Sequence, residues 1–184
     1  MSVEVSLDPL TRRADREGAQ LGLPPGSFRP HQCNPSGVAI DPRTGRLWCT
    51  VNERDGLGDN LVPDYITAVR EGGFYGWPWW YMGAHQDPRH VGKHPELRER
   101  VIVPDVLLQP HNASLQIAFY QGQQFPDEYH GDIFATEHGS WNKSVRAGYE
   151  VIRLPLHPGG KSGGEYQDFL TGFVLPTGRY GAVR

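Results

Sequence analysis

Two stretches concentrate side chains that can do chemistry. The first is Asn52-Glu53-Arg54-Asp55-Gly56-Leu57-Gly58-Asp59-Asn60, running on to Pro63-Asp64-Tyr65. Glycines let a backbone turn sharply and approach a ligand closely. Carboxylates and exposed carbonyls are what a hard cation such as calcium needs, and Asp55, Asp59 and Asp64 offer the carboxylates. The competing reading is a solvated acidic loop in which Arg54 is paired internally, and the spacing does not match an EF-hand. The second stretch is His138-Gly139-Ser140-Trp141-Asn142-Lys143, with Arg146 just beyond. Lys143 or Arg146 can neutralise an anionic ligand or stabilise a developing oxyanion. Trp141 can stack on a planar ring or pack between sheets. His111, after Gln109-Pro110, offers a titratable imidazole, although a lone loop histidine is more often simply exposed or hydrogen-bonded. No Gly-x-Ser-x-Gly pattern supports a serine hydrolase. His85, His90 and His94 lack the ordered ligand spacing and cysteines of a zinc site. Trp77-Pro78-Trp79-Trp80-Tyr81 reads as packing before it reads as a sugar-stacking rim.

Short strands joined by turns must position these groups. Gly37-Val38-Ala39-Ile40, the turn Asp41-Pro42-Arg43-Thr44-Gly45, and Arg46 to Val51 form a hairpin signal. A second unit runs Leu115 to Tyr120, crosses a polar loop, and returns as Asp132 to Glu137. A third begins at Tyr149 to Leu154 and turns through His157-Pro158-Gly159-Gly160. Only Pro95 to Arg100 looks helical. Repeated hairpins of this kind predict an all-β fold, a β-propeller, in which both chemistry-bearing stretches follow strands. A four-stranded blade takes roughly 40 to 50 residues, so the chain holds an incomplete set of about three blades. We expect a poorly defined segment over 1–24. A partial propeller domain should follow over 25–184, with a long insertion at 53–110.

The totals narrow the function classes. The 184 residues suffice for one domain with a real core. A net charge of -3 and a pI of about 6.2 argue against a nucleic-acid partner. No apolar run approaches the roughly 18 residues of a membrane span. Met1 to Gln20 carry no apolar core, which predicts no signal peptide in this chain. Cys33 and Cys49 flank the first hairpin, either as a disulfide or as two free thiols.

The order Asn34-Pro35-Ser36-Gly37-Val38-Ala39, Gly45-Arg46-Leu47-Trp48, Asn52 to Asp59, Gly72-Gly73-Phe74-Tyr75-Gly76-Trp77-Pro78, His138 to Asn142 and Asp168 to Phe173 resembles the soluble pyrroloquinoline-quinone (PQQ)-dependent sugar dehydrogenases. This is the glucose/sorbosone dehydrogenase family, and the likeness is closest to its L-sorbosone dehydrogenase-like branch. It covers about residues 25 to 175. The resemblance implies a six-bladed β-propeller oxidoreductase, a quinoprotein with PQQ beside calcium in a central polar pocket. It implies a sugar or sugar-aldehyde substrate, an external electron acceptor, and a periplasmic or secreted location. It also implies that Asn34 contacts the cofactor and that Glu53 and Arg54 give backbone carbonyls to calcium. Arg54 would clamp one of the three PQQ carboxylates, and His111, His138, Lys143 and Arg146 would line the pocket. The family's catalytic histidine lies in an amino-terminal blade with no match here, so the catalytic residue is not assigned, and the missing blades would come from a longer chain or a partner. The rival readings are a non-catalytic propeller that binds carbohydrate or protein, and a calcium-stabilised lactonase or hydrolase that uses metal and water without quinone.

Overall fold

The structure is a computed structural model, described over residues 34–175. The segment 1–24 and Cys33 lie outside the described residues, and of Asn34 only the backbone is described. The strands run β1 (Asn34–Ile40), β2 (Leu47–Asn52), β3 (Tyr65–Ala68), β4 (Trp80–Tyr81), β5 (His85–Gln86), β6 (Val106–Leu107), β7 (Ser114–Phe119), β8 (Ile133–Glu137), β9 (Glu150–Leu154), β10 (Leu156–His157), β11 (Lys161–Ser162) and β12 (Gln167–Leu170). They form two four-stranded antiparallel sheets, ordered β1-β2-β3-β6 and β7-β8-β9-β12, and two ribbons, β4-β5 and β10-β11. Four antiparallel strands are the form of a propeller blade. Two full sheets of that form are present among the described residues.

The first two hairpins form where the sequence places them. Asp41 builds the first turn: its carbonyl accepts from Gly45 N at 2.8 Å, and its carboxylate accepts from Arg43 N at 2.9 Å and Thr44 Oγ1 at 2.8 Å. The third pairing differs. β9 does not close on a partner across the His157–Gly160 turn; that turn closes the small β10-β11 ribbon. β9 pairs instead with β12, Gln167 opposite Arg153 and Asp168 opposite Ile152. A short ribbon can be inserted in a blade connection without disturbing the ladder, so local turn chemistry alone does not reveal the partner. Pro95–Arg100 is a single 3-10 helix with Pro at its start.

Within 53–110 the chain is not one excursion. It supplies β3 and β6 to the first sheet, and between them Arg70–Val103 forms a compact unit of its own. Phe74, Trp79, Trp80 and Leu97 are the core of that unit, with His94 against Trp79 at 4.3 Å between ring centroids. The aromatic cluster therefore packs, as its composition favours.

The other unit, 34–69 with 104–175, carries both four-stranded sheets. Trp48, Ile66, Ala68, Val106 and Leu108 of the first meet Ile117, Ile133, Ala135, Ile152 and Leu154 of the second in one core. Burying such side chains contributes roughly 1.5–3 kcal/mol each. The strands β1 and β7 approach closely at Gly37, where an added Cβ would lie 2.9 Å from Gln116 Cα and from the Leu115 carbonyl oxygen. Cys49 is a free thiol in this unit, and burial pushes it up to about 11, which makes it unreactive.

Candidate functional site

The inter-sheet layer changes character at one end. Along β8, Ile133 and Ala135 face the apolar core, and the next residue on that face is Glu137. Cross-strand pairing sets Ser114 of β7 and Glu150 of β9 on either side of it. Beyond this polar end lie three loops: 53–64 after β2, 108–113 before β7, and 138–149 after β8.

The loops are joined by named bonds. Asp64, only 2% exposed, accepts from Glu53 N at 2.7 Å and from Ala113 N at 2.9 Å. His111 places Nδ1 3.1 Å from Asp55 Oδ1 and Nε2 2.9 Å from the Gly58 carbonyl. Asn142 Nδ2 donates to the same Asp55 oxygen at 2.5 Å. Ser144 donates to Asp59 Oδ2 through its backbone N at 3.1 Å and also through its hydroxyl. Those two Ser144 bonds, with Lys143 nearby, hold the exposed Asp59 carboxyl below the usual range. The acidic loop and the His138 loop thus face one another on one side of this unit.

The remaining candidates distribute around that junction. Asn34 opens β1 opposite Asn52, at the loop end of the first sheet. Arg54 is buried and donates to the Asp55 carbonyl at 2.6 Å. His138 is half-buried, with Nδ1 3.4 Å from the Gly139 carbonyl. Lys143 is half-buried, and the exposed Arg146 donates to the Ser140 carbonyl at 3.2 Å and to Tyr149 Oη at 3.0 Å. Trp141 is 75% exposed, so it packs between no sheets in this unit. The carboxylates of Asp55, Asp59 and Asp64 form no shared cluster: among the described residues no three His, Cys, Asp or Glu side chains gather at metal-binding spacing. Asp64, in particular, spends both oxygens on backbone amides.

Sequence reasoning missed the strain and the buried acids. Five non-glycine residues among those described have positive φ, and three are here: His111 at 68°, Ala113 at 56° and Tyr149 at 62°. Such conformations cost of order 1–3 kcal/mol each and cluster at functional sites. Burial pushes Asp64 up to about 6, against the pull of its two amides and His111. Burial also pushes Glu137 up to about 8; Ser114 and Asn112 oppose the rise, while Asp64 and Glu150 add to it. Glu150 rises to about 7 through desolvation and through Asp168, which shares a hydrogen bond with it. Alternation along β8 and β9 signals the burial of Glu137 and Glu150, but no sequence feature signals that their neighbours are acidic.

The sign of the Glu150 effect is fixed by its direction. A carboxyl raised in the folded state binds its proton more tightly there than in the unfolded chain. Its contribution to stability is full below about pH 4.5 and is lost as pH rises through about 7. With chelator present, the unfolding midpoint is expected to fall from pH 5 to pH 8, and Glu150→Gln to flatten that fall. A midpoint profile identical in the two proteins would refute the assignment.

Comparison with known proteins fits this geometry. An uncharacterized protein of Borreliella burgdorferi is 33% identical over 143 residues, which are 77% of this chain and 37% of that protein. The calcium structure of a family AA12 carbohydrate-active enzyme from Trichoderma reesei superposes with a TM-score of 0.62 at 17% identity, covering 79% of this chain and 44% of that one. The holo form of the pyranose dehydrogenase PQQ domain from Coprinopsis cinerea gives 0.54 at 19% identity, covering 75% and 42%. At these identities the two structures establish the fold, and the sheets here are blades of a β-propeller. The chain spans less than half the length of each of these relatives. Residues 31–140, more than half of the chain, match the model of the Glucose / Sorbosone dehydrogenase family, and to that family this protein belongs.

Proposed function

We propose that the complete protein is a PQQ- and calcium-dependent dehydrogenase of a sugar or sugar aldehyde, and that this chain supplies part of its cofactor site. The observation that carries the reading is the junction of the two loops through Asn142–Asp55 and Ser144–Asp59. It gathers Arg54, His111, Lys143 and Arg146 around strained backbone in a member of this family. The donor set fits the cofactor. PQQ is a flat ring system with three carboxylates, and guanidinium and ammonium groups are its natural complements. When bound, the quinone supplies a two-electron sink for the anomeric or aldehyde carbon, with calcium as the neighbouring Lewis acid.

Arg54, Lys143 and Arg146 bind carboxylates in this proposal. The Glu53 and Arg54 carbonyls hold the cation, and Asn34 and His138 complete the polar lining. His111 is a positioning residue: held between Asp55 and Gly58, it fixes the acidic loop against the 138–149 loop. The base that takes the substrate proton comes from the part of the protein beyond this chain. An external acceptor removes the electrons, and export to the periplasm belongs to the same proposal. No helix among the described residues is long and apolar enough to cross a membrane.

The test is addition of PQQ and calcium to a chain extended to the full length of its relatives. Quinone uptake by absorbance and oxygen-independent dye reduction with an aldose are expected. Arg54→Lys is expected to weaken uptake about tenfold, because an ammonium cannot pair bidentately. Absence of uptake by the extended protein defeats the proposal. Sugar binding without dye reduction points to a non-catalytic module.

A further inference from the structure

The polar end of the inter-sheet layer contains oxygens that the loops do not use. Glu137 is completely buried, and neither of its carboxylate oxygens has a hydrogen-bond partner. Asn112 Oδ1 and Ser114 Oγ, 1% and 0% exposed by residue, also lack one. Both residues bear on the Glu137 carboxyl without meeting hydrogen-bond geometry. Their backbones hold them in place. Ser114 is the cross-strand partner of Glu137, and the Asn112 carbonyl accepts from Gly139 N at 2.8 Å. Ala113 between them is fixed to Asp64. Four buried oxygens on three residues therefore lie together, and the donors beside the carboxylate, the Ser114 hydroxyl and the Asn112 amide, fall short of hydrogen-bond geometry to it.

Charge makes the arrangement more demanding. The charged groups that bear most on Glu137 are both acids, Asp64 and Glu150. An isolated buried carboxylate is strongly unfavourable unless it is paired, coordinates a metal or takes up a proton. Carboxylate and amide oxygens are acceptors only, and a hydroxyl can present its lone pairs with them. One water satisfies two acceptors with its protons and leaves the charge in place. A cation satisfies all of them and offsets the charge.

We propose that Glu137, Asn112 and Ser114 form a buried oxygen site for a hard cation of calcium's class, in addition to any cation held by the carbonyls of the 53–64 loop. Such a site has one carboxylate and otherwise neutral ligands. It does not need three acidic or imidazole side chains, which do not converge among the described residues. A low ligand charge places its affinity at the weak end for calcium, with a dissociation constant on the order of 10⁻⁴ M. Its position beneath His111 and Gly139 makes it a brace for both loops.

The experiment is a calcium titration of the full chain, stripped with chelator and free of quinone, by calorimetry and by terbium luminescence. Burial raises the pKa of the Tyr166 hydroxyl and the nearby Glu137 and Glu150 add to the rise, so this ring is placed to sensitise the lanthanide. We expect Glu137→Gln to lower the number of bound cations by one, and Ser114→Ala to weaken that cation about tenfold. Asp59→Asn should leave it in place. Calcium should raise the unfolding midpoint of the parent and not of Glu137→Gln. The proposal is overturned if the parent binds no cation at millimolar calcium, or if Glu137→Gln binds the same number with the same affinity. Those results would mean that the oxygens hold water, or that the carboxyl carries a proton. If Glu137→Gln does not fold, unchanged calcium affinity in Ser114→Ala overturns it equally. The outcome is independent of whether the complete protein takes PQQ.

Discussion

Gly139→Ala is expected to cost at least about 3 kcal/mol in stability and to remove quinone binding by the extended protein. Gly139 follows His138 and has φ of +96°, a conformation that an L side chain rarely adopts. A Cβ there would also sit 2.3 Å from Tyr149 Cδ2 and 2.4 Å from Cε2. The Tyr149 ring cannot swing aside freely, because its hydroxyl donates to the Ser140 carbonyl at 2.5 Å and accepts from Arg146 at 3.0 Å. Relief of the clash must move backbone, and the backbone in question carries His138, Lys143 and Arg146. Gly172 is the control. It has the same φ of +96°, and an added Cβ meets nothing within 4 Å. Gly172→Ala should therefore cost only the conformational penalty, about 1 kcal/mol. Urea unfolding of the two variants separates the terms. Equal losses in both would mean that Tyr149 does not confine the loop.

The pair also shows what the sequence could reveal. Both glycines look alike in the chain, and only the structure distinguishes one facing solvent from one under an aromatic ring. The first two hairpins were legible because their signals are local: a Pro-to-Gly turn held by Asp41, and alternation along β7 and β8. The β9-β12 pairing was not legible, because a ribbon of its own turn residues stands between the partners. The facing of the acidic and His138 loops follows from placing each after a strand at the same end of adjacent blades. The chemistry at the junction does not follow. Asp55, a candidate calcium ligand by residue type, receives Asn142 and faces His111. Those partners lie 87 and 56 residues away in sequence, beyond the reach of any spacing rule. Glu137 was hidden for another reason. Its place at the end of an alternating strand reads as one more inward position, and an inward glutamate at such a position is uncommon.

Asp64 allows the sharpest separation of a structural role from a ligand role. Asp64→Ala removes the acceptor of Glu53 N and Ala113 N and leaves two amides to find other partners. Each unsatisfied buried group costs roughly 1–3 kcal/mol, partly offset by relieving a carboxylate that burial disfavours. The net expectation is a loss of about 3 kcal/mol. Asp64→Asn should fare little better, since an amide can accept one of the two N–H groups only by turning its own NH2 toward the other. Measured in chelator, this loss should be fully present, because both bonds are within the protein. A ligand role predicts the opposite pattern: stability in chelator unchanged by the substitution, and a difference only when calcium is added. Because Glu53 N and Ala113 N belong to the two loops that Asp64 fastens, the variant should also loosen His111 from Gly58. Histidine proton resonances then provide a local readout that a uniform loss of stability would not move.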